Sequence, residues 1–260
     1  MSPPRILVHA GFYKTGTTSL QGFLADNRAA LAPWFAYYGQ GDFHGAGARA
    51  REYAQAPFPN GLKAFRLALR RFLSEVPDGT DLVLSRENFT GAMPGHRDWL
   101  GRPITGFPAA KPLLRDLRKE LFRRFGPDTR VEILFTTRTR EAWLRSVHGH
   151  LLRSIRLEDD FDDFARRFRS LGTLEEEARR LDADHISRVE AFFDHPAGPA
   201  KAVLDLMGVP EATQASLTPA RHRNAGQSGV LKAEFLRLNR SGLSKPELKA
   251  AKATLLERGS

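Results

Sequence analysis

Short apolar runs separated by helix-period patterns set the rhythm of this chain. "RILVHA" (5–10), "DLVLS" (81–85) and "VEILFTT" (131–137) are brief, branched and bounded by polar residues or glycine. Parallel strands buried on both faces have this pattern. Between them, apolar residues recur at helical spacing near 17–31, 62–76 and 110–125, which predicts a βαβ succession. A weaker strand is predicted in "SRVEAFF" (187–193), ahead of the helix-like "PAKAVLDLMG" (199–208). The later chain is mostly helical, with candidates at 160–170, 229–239 and 245–257. The glycine-rich piece "YGQGDFHGAGARA" (38–50) reads as a loop, of a length that often forms a lid or binding loop. Alternating strands and helices imply a three-layer α/β fold around a central parallel sheet, whose ligands bind beyond the carboxyl ends of the strands. At 260 residues the chain fits one domain.

Composition narrows the function classes only partly. No stretch approaches the ~20 apolar residues of a membrane span. "MSPPRILVHAG" has no apolar signal region, so a cytoplasmic protein is expected. The absence of cysteine excludes disulfides, Cys-ligated zinc and thiol catalysis. A net charge of +10 suits an anionic partner. Arginine, however, supplies 31 of the 40 basic residues in a chain also rich in alanine, glycine and leucine, so a compositional bias explains the charge equally well. Nor are basic residues interleaved with aromatics: "RDLRKELFRRFG" (115–126) reads as the solvated face of an amphipathic helix. No His/Asp/Glu spacing resembles a metal site, and no G-x-S-x-G elbow occurs.

Candidate chemistry begins at the first strand. "RILVHAGFYKTGTTSLQGFL" reads strand, glycine turn, helix, the setting of a phosphate loop. Gly11 and Gly16 keep the spacing of G-x-x-x-x-G-K-[ST], but Thr17 stands where that motif has lysine, and the lysine is three residues earlier, Lys14. Backbone N–H groups at the helix start can still cradle an anion, whereas the grip on a triphosphate is lost. Downstream, "VEILFTT" runs into "RTREAWLRS": Arg138 ends the strand, Thr139 is a plausible N-cap, and Ser146 follows on the next helix. A strand-end arginine and a helical hydroxyl together suit a phosphate. The middle strand ends in "RENFTG", so Glu87 emerges at its carboxyl end.

These motifs resemble those of the bacterial-type sulfotransferases that use 3′-phosphoadenosine 5′-phosphosulfate (PAPS), whose loop has the form K-[ST]-G-T-[TS] and whose fold is P-loop-like. The resemblance implies that Lys14, Thr15, Gly16, Thr17, Thr18 and Ser19 bind the 5′-phosphosulfate, with Lys14 at the bridging oxygen, and that Arg138 and Ser146 hold the 3′-phosphate. The stretch 221–240 looks like the family's late loop and helix over the nucleotide, with Arg223, Asn224 and Ser228 as contacts. Sulfate leaves less charge to neutralise than a terminal phosphate, so no metal is expected. A base is implied, and Glu87 stands in a similar position, with His44 in the glycine-rich loop as second candidate. His9 is expected to orient the loop or pack in the core, and His148 and His150 to lie at the surface.

The implied organisation is one domain over 1–260, with a nucleotide-binding core of about 1–155 plus 185–240 and acceptor-side loops at about 38–62 and 156–185. The implied reaction moves a sulfuryl group from PAPS to a hydroxyl or amine of a carbohydrate or small molecule, leaving adenosine 3′,5′-bisphosphate (PAP). Aromatics in "PWFAYYGQGDFHG" (33–45) can stack on an acceptor ring or pack the first helix. Two alternatives share the fold. A P-loop kinase-like phosphotransferase is disfavoured by Thr17 and by the lack of a clear Mg²⁺-binding aspartate on a second strand, and the other is a non-catalytic nucleotide or polyanion binder. A nucleic-acid binder rests on charge alone.

Overall fold

The computed structural model describes residues 3–220 and 228–258. Strands β1 (Arg5–His9), β2 (Ala36–Tyr38), β3 (Leu82–Ser85), β4 (Arg130–Thr137) and β5 (His185–Arg188) form one sheet in the order β2-β3-β1-β4-β5, every neighbour parallel. Between β1 and β3 come helices α1 (Thr17–Asp26), α2 (Arg28–Leu31), α3 (Ala46–Gln55) and α4 (Pro59–Ser74). Then follow α5 (Ala110–Phe125), α6 (Arg140–Ser154), α7 (Phe161–Arg167), α8 (Leu174–Arg180), α9 (Lys201–Leu206), α10 (Glu211–Ser216), α11 (Gly229–Asn239) and α12 (Lys245–Arg258). The result is a three-layer, P-loop-like α/β fold with a mostly helical C-terminal part.

Strand alternation divides the core in two. Ile6, Val8, Leu82, Leu84, Ile133 and Phe135 face one layer, built by α3 to α6. Leu7, Val83 and Leu134 face the other, built by α1 and α9. Because the side-chain period in a strand is two, central strands covered on both sides show an unbroken apolar run. No helix among the described residues is long and apolar enough to cross a membrane.

Three elements differ from the sequence expectation. Of the glycine-rich piece 38–50, Tyr38 ends β2 and only 39–45 is a loop; from Ala46 it is α3, whose Ala46, Ala50 and Ala54 are buried. Small residues let that helix sit close to the core, and the same residues gave the segment its loop-like composition. The expected helix 17–31 is interrupted at Asn27, whose Nδ2 donates to the carbonyls of Phe23 (3.0 Å) and Thr218 (2.9 Å) while its Oδ1 accepts from Thr218 N (2.8 Å). The fourth predicted strand lies earlier, at 185–188, and Val189–Phe192 coils into a 3-10 turn.

One buried carboxylate ties three strands together. Glu132 on β4 accepts from Arg5 on β1 (2.7 Å), from Arg130 (2.9 Å) and from His185 on β5 (2.8 Å). Burial alone would raise its pKa, but His185, Arg5 and Arg130 together pull it down to about 2. Its folded pKa is depressed, so its contribution is present above the ordinary value of 4.5 and is lost as pH falls from there through about 2. That contribution is on the order of 3 kcal/mol. Glu132→Gln should therefore be less stable at neutral pH and lose less stability than the parent between pH 4.5 and 2, as read by urea denaturation across that range.

Candidate functional site

The site is built at the carboxyl ends of the three central strands. The loop between β1 and α1 turns through the left-handed region three times, at Gly11 (φ +49), Lys14 (φ +67) and Gly16 (φ +79). Glycine is required at 16, because a Cβ there would stand 2.9 Å from Pro199 Cγ. Lys14 has a Cβ and adopts this backbone at a cost, so the surrounding structure must impose it. Trp143 Nε1 donates to the Tyr13 carbonyl (2.9 Å), the Tyr13 hydroxyl donates to the Gly91 carbonyl (2.9 Å), and buried Thr15 Oγ1 donates to the Phe12 carbonyl (2.6 Å). These turns lead into the N-terminus of α1, which has no side-chain cap, and successive left-handed turns of this kind make a concavity lined by N–H groups. Such a concavity receives anions.

Beneath the loop runs a chain of hydrogen bonds across the sheet. His9, fully buried, places Nδ1 2.8 Å from Ser85 Oγ on β3 and Nε2 3.0 Å from Thr136 Oγ1 on β4; Thr136 Oγ1 is in turn 2.9 Å from Thr15 Oγ1. Burial pushes the His9 pKa down to about 3, so the ring is neutral and carries one proton. The heavy atoms assign that proton. Thr15 gives its hydroxyl hydrogen to the Phe12 carbonyl, so Thr136 must donate to Thr15 and His9 Nε2 must donate to Thr136; Nδ1 then accepts from Ser85. Gln21 Nε2 reaches Ser85 Oγ and Glu87 Oε2, each at 3.3 Å.

Cations gather above the loop. Lys14 is half-buried, and burial, followed by the charges of Arg153 and Arg138, lowers its pKa. Among the described residues no carboxylate pairs with it. Arg138, directly after β4, holds its Nε 3.8 Å from Glu190 Oε1 without a hydrogen bond, and that nitrogen is buried. The Glu190 carboxylate accepts instead from Thr139 N (3.0 Å). Thr139 is the N-cap residue of α6, though its side chain makes no cap bond. Ser146 lies half-buried in the second turn of α6.

Glu87 opens a 3-10 turn (Glu87–Thr90) after β3, half-buried, with Gln21 rather than Arg86 as its hydrogen-bond donor. His44 (φ +46) places its Nε2 2.6 Å from Glu75 Oε2, just past the end of α4. Arg223 and Asn224 lie outside the described residues, whereas Ser228 caps α11 by accepting from Leu231 N (3.2 Å). No cluster of three or more His, Asp or Glu that could hold a metal stands together among the described residues.

Two histidines expected at the surface face inward. His148 is 5% exposed, with Nε2 3.0 Å from the Asp159 carbonyl and its ring against Phe161 and Phe164. His150 is pushed down to about 4, by burial first and then by Lys14, Arg153 and His96; its buried Nδ1 has no hydrogen-bond partner. The helical spacing of Trp143, Leu144, Val147 and Leu151 was a signal that this part of α6 is covered. Arg51, His96 and Arg153 carried no such signal, since only the fold brings them to the loop.

The chain matches no protein-family model and no curated protein. Among solved structures it is similar to a retinol dehydratase in complex with androsterone and the inactive cofactor PAP, at 14% identity and a TM-score of 0.38, over 100% of this chain and 81% of that one. At that identity and score the likeness bears on neither ligand nor chemistry.

Proposed function

We propose that the protein is a PAPS-dependent sulfotransferase. One observation carries the reading: the anion-binding turn presents a strained, half-buried lysine at position 14, flanked by the charges of Arg138 and Arg153, while Thr17 occupies the place of a triphosphate-binding lysine. The residues fit the donor. Loop N–H groups and the start of α1 would hold its 5′ end, and the buried, unbonded Arg138 Nε with Ser146 would hold the 3′-phosphate. When bound, PAPS supplies an activated sulfuryl group. Lys14 would place a compact ammonium at the oxygen that becomes negative as the bond to sulfur breaks. Glu87 Oε1 or Oε2 would take the acceptor's proton, with Gln21 keeping the carboxylate turned toward the loop. Acceptor contacts fall to α3 and the loops around it.

Calorimetric titration with PAP, run beside ATP–Mg²⁺, tests the donor assignment. Tight, Mg²⁺-independent PAP binding is expected; a preference for ATP–Mg²⁺ would overturn the reading in favour of a phosphotransferase. For the base, Glu87→Gln should bind PAP as the parent does yet transfer ~10²–10⁴-fold more slowly, the range for loss of one general base. Transfer at the parental rate would remove Glu87 from that role.

A further inference from the structure

We infer that the acceptor is an acidic oligosaccharide lying along one face of α3. The inference rests on the sulfotransferase reading and adds the acceptor's chemical class to it. Gly47, Arg51 and Gln55 repeat at four-residue spacing on α3 and so share a face roughly 12 Å long.

At the inner end, beside Glu87, the Arg86 guanidinium lies over Gly47. A Cβ at 47 would stand 2.4 Å from Arg86 Nε, so the helix leaves out a side chain there to admit the guanidinium. Arg86 Nη1 is buried and has no hydrogen-bond partner. One turn on, Arg51 projects into solvent, close enough that its charge acts on both Tyr13 and His96. Neither arginine pairs with a carboxylate among the described residues. Arg49, on the same helix, is held by Glu52 at 2.8 Å. Asp98, the nearby acid, is taken by Arg102 at 3.0 Å. At the outer end the Gln55 carbonyl accepts from Trp99 N (2.8 Å), and Trp99 packs on Phe58 with ring centroids 5.3 Å apart. Both rings are more than half exposed, at 56% and 52%.

The order along the face is therefore aromatic pair, exposed arginine, half-buried arginine, carboxylate base. Exposed aromatic faces stack on the C–H edges of sugar rings, and guanidinium forks bind carboxylates or sulfates. A steroid or simple phenol has no use for two unpaired arginines on the way to the base. A neutral sugar can accept hydrogen bonds from a guanidinium but brings no negative charge to the two arginines.

The test titrates the PAP-loaded protein with a galacturonate hexamer and with maltohexaose. The hexauronate should bind at least tenfold more tightly than maltohexaose. Arg51→Gln should remove most of that difference, Trp99→Ala should weaken both sugars, and neither variant should change PAP affinity. Equal binding of the two hexamers, no hexauronate binding, or an Arg51→Gln protein within about twofold of the parent would overturn the inference. The last of these is the result expected if a basic protein merely attracts polyanions. Repeating the hexauronate titration without PAP separates the two claims. Loss of PAP binding alone defeats the donor reading, and loss of uronate binding alone defeats this one.

Discussion

Lys14→Ala is expected to reduce turnover by ~10²–10³ under saturating PAPS, the scale seen when a single transition-state donor is removed. PAP affinity should change far less, because the loop amides that would hold the 5′ end belong to the backbone. The backbone complicates the alanine variant, since residue 14 sits at φ +67 and alanine dislikes that region as much as lysine does. Lys14→Gly relieves the strain while removing the same ammonium, so the two variants should lose turnover alike. Lys14→Arg should not restore it: a guanidinium is a wide fork where a point charge must meet one oxygen. The measurement is initial-rate transfer with PAP calorimetry on each protein. A loss below tenfold in the glycine variant would mean that the lysine does not reach the breaking bond.

Arg138→Ala should act in the opposite way, on binding. Removing one partner of a buried, charged contact costs ~2–5 kcal/mol, or roughly 30-fold to several thousand-fold in PAP affinity. Specificity for the 3′-phosphate gives the control. Adenosine 5′-phosphate lacks that group, so its affinity should be nearly the same in parent and variant. Equal losses for both nucleotides would place Arg138 in a structural role, holding Glu190 beneath the start of α6.

Much of this arrangement was legible in the sequence because it is local. A strand, a glycine turn and a helix within twenty residues fix the lysine loop, Arg138 follows its strand directly, and Glu87 stands one residue beyond its own. What was not legible is short or assembled from afar. β2 has three residues, too few to show an alternation. The alanines of α3 carry no hydrophobic stripe of the usual size, and the charge of its Arg51 acts on His96 only because the segment after β3 returns to the end of the helix, where Trp99 N donates to the Gln55 carbonyl. His9 was readable from its position as a residue that orients the loop or packs in the core. Its partners were not, since Ser85 and Thr136 are brought to it by the register of β3 and β4 on β1.

That register gives the hydrogen-bond chain a polarity. The terminal acceptor is the Phe12 carbonyl, which has no hydrogen to return, so no hydroxyl in the chain can turn around alone. Thr15, Thr136, His9 and Ser85 thus behave as one rotor with a single permitted direction, although they come from three strands and a loop. Energetically they should be indivisible: Thr15→Val and Ser85→Ala, made separately and together, should depart from additivity by ~0.5–3 kcal/mol in stability despite lying on opposite sides of β1. The backbone carbonyl of a loop residue would then set which nitrogen of a core histidine bears the proton.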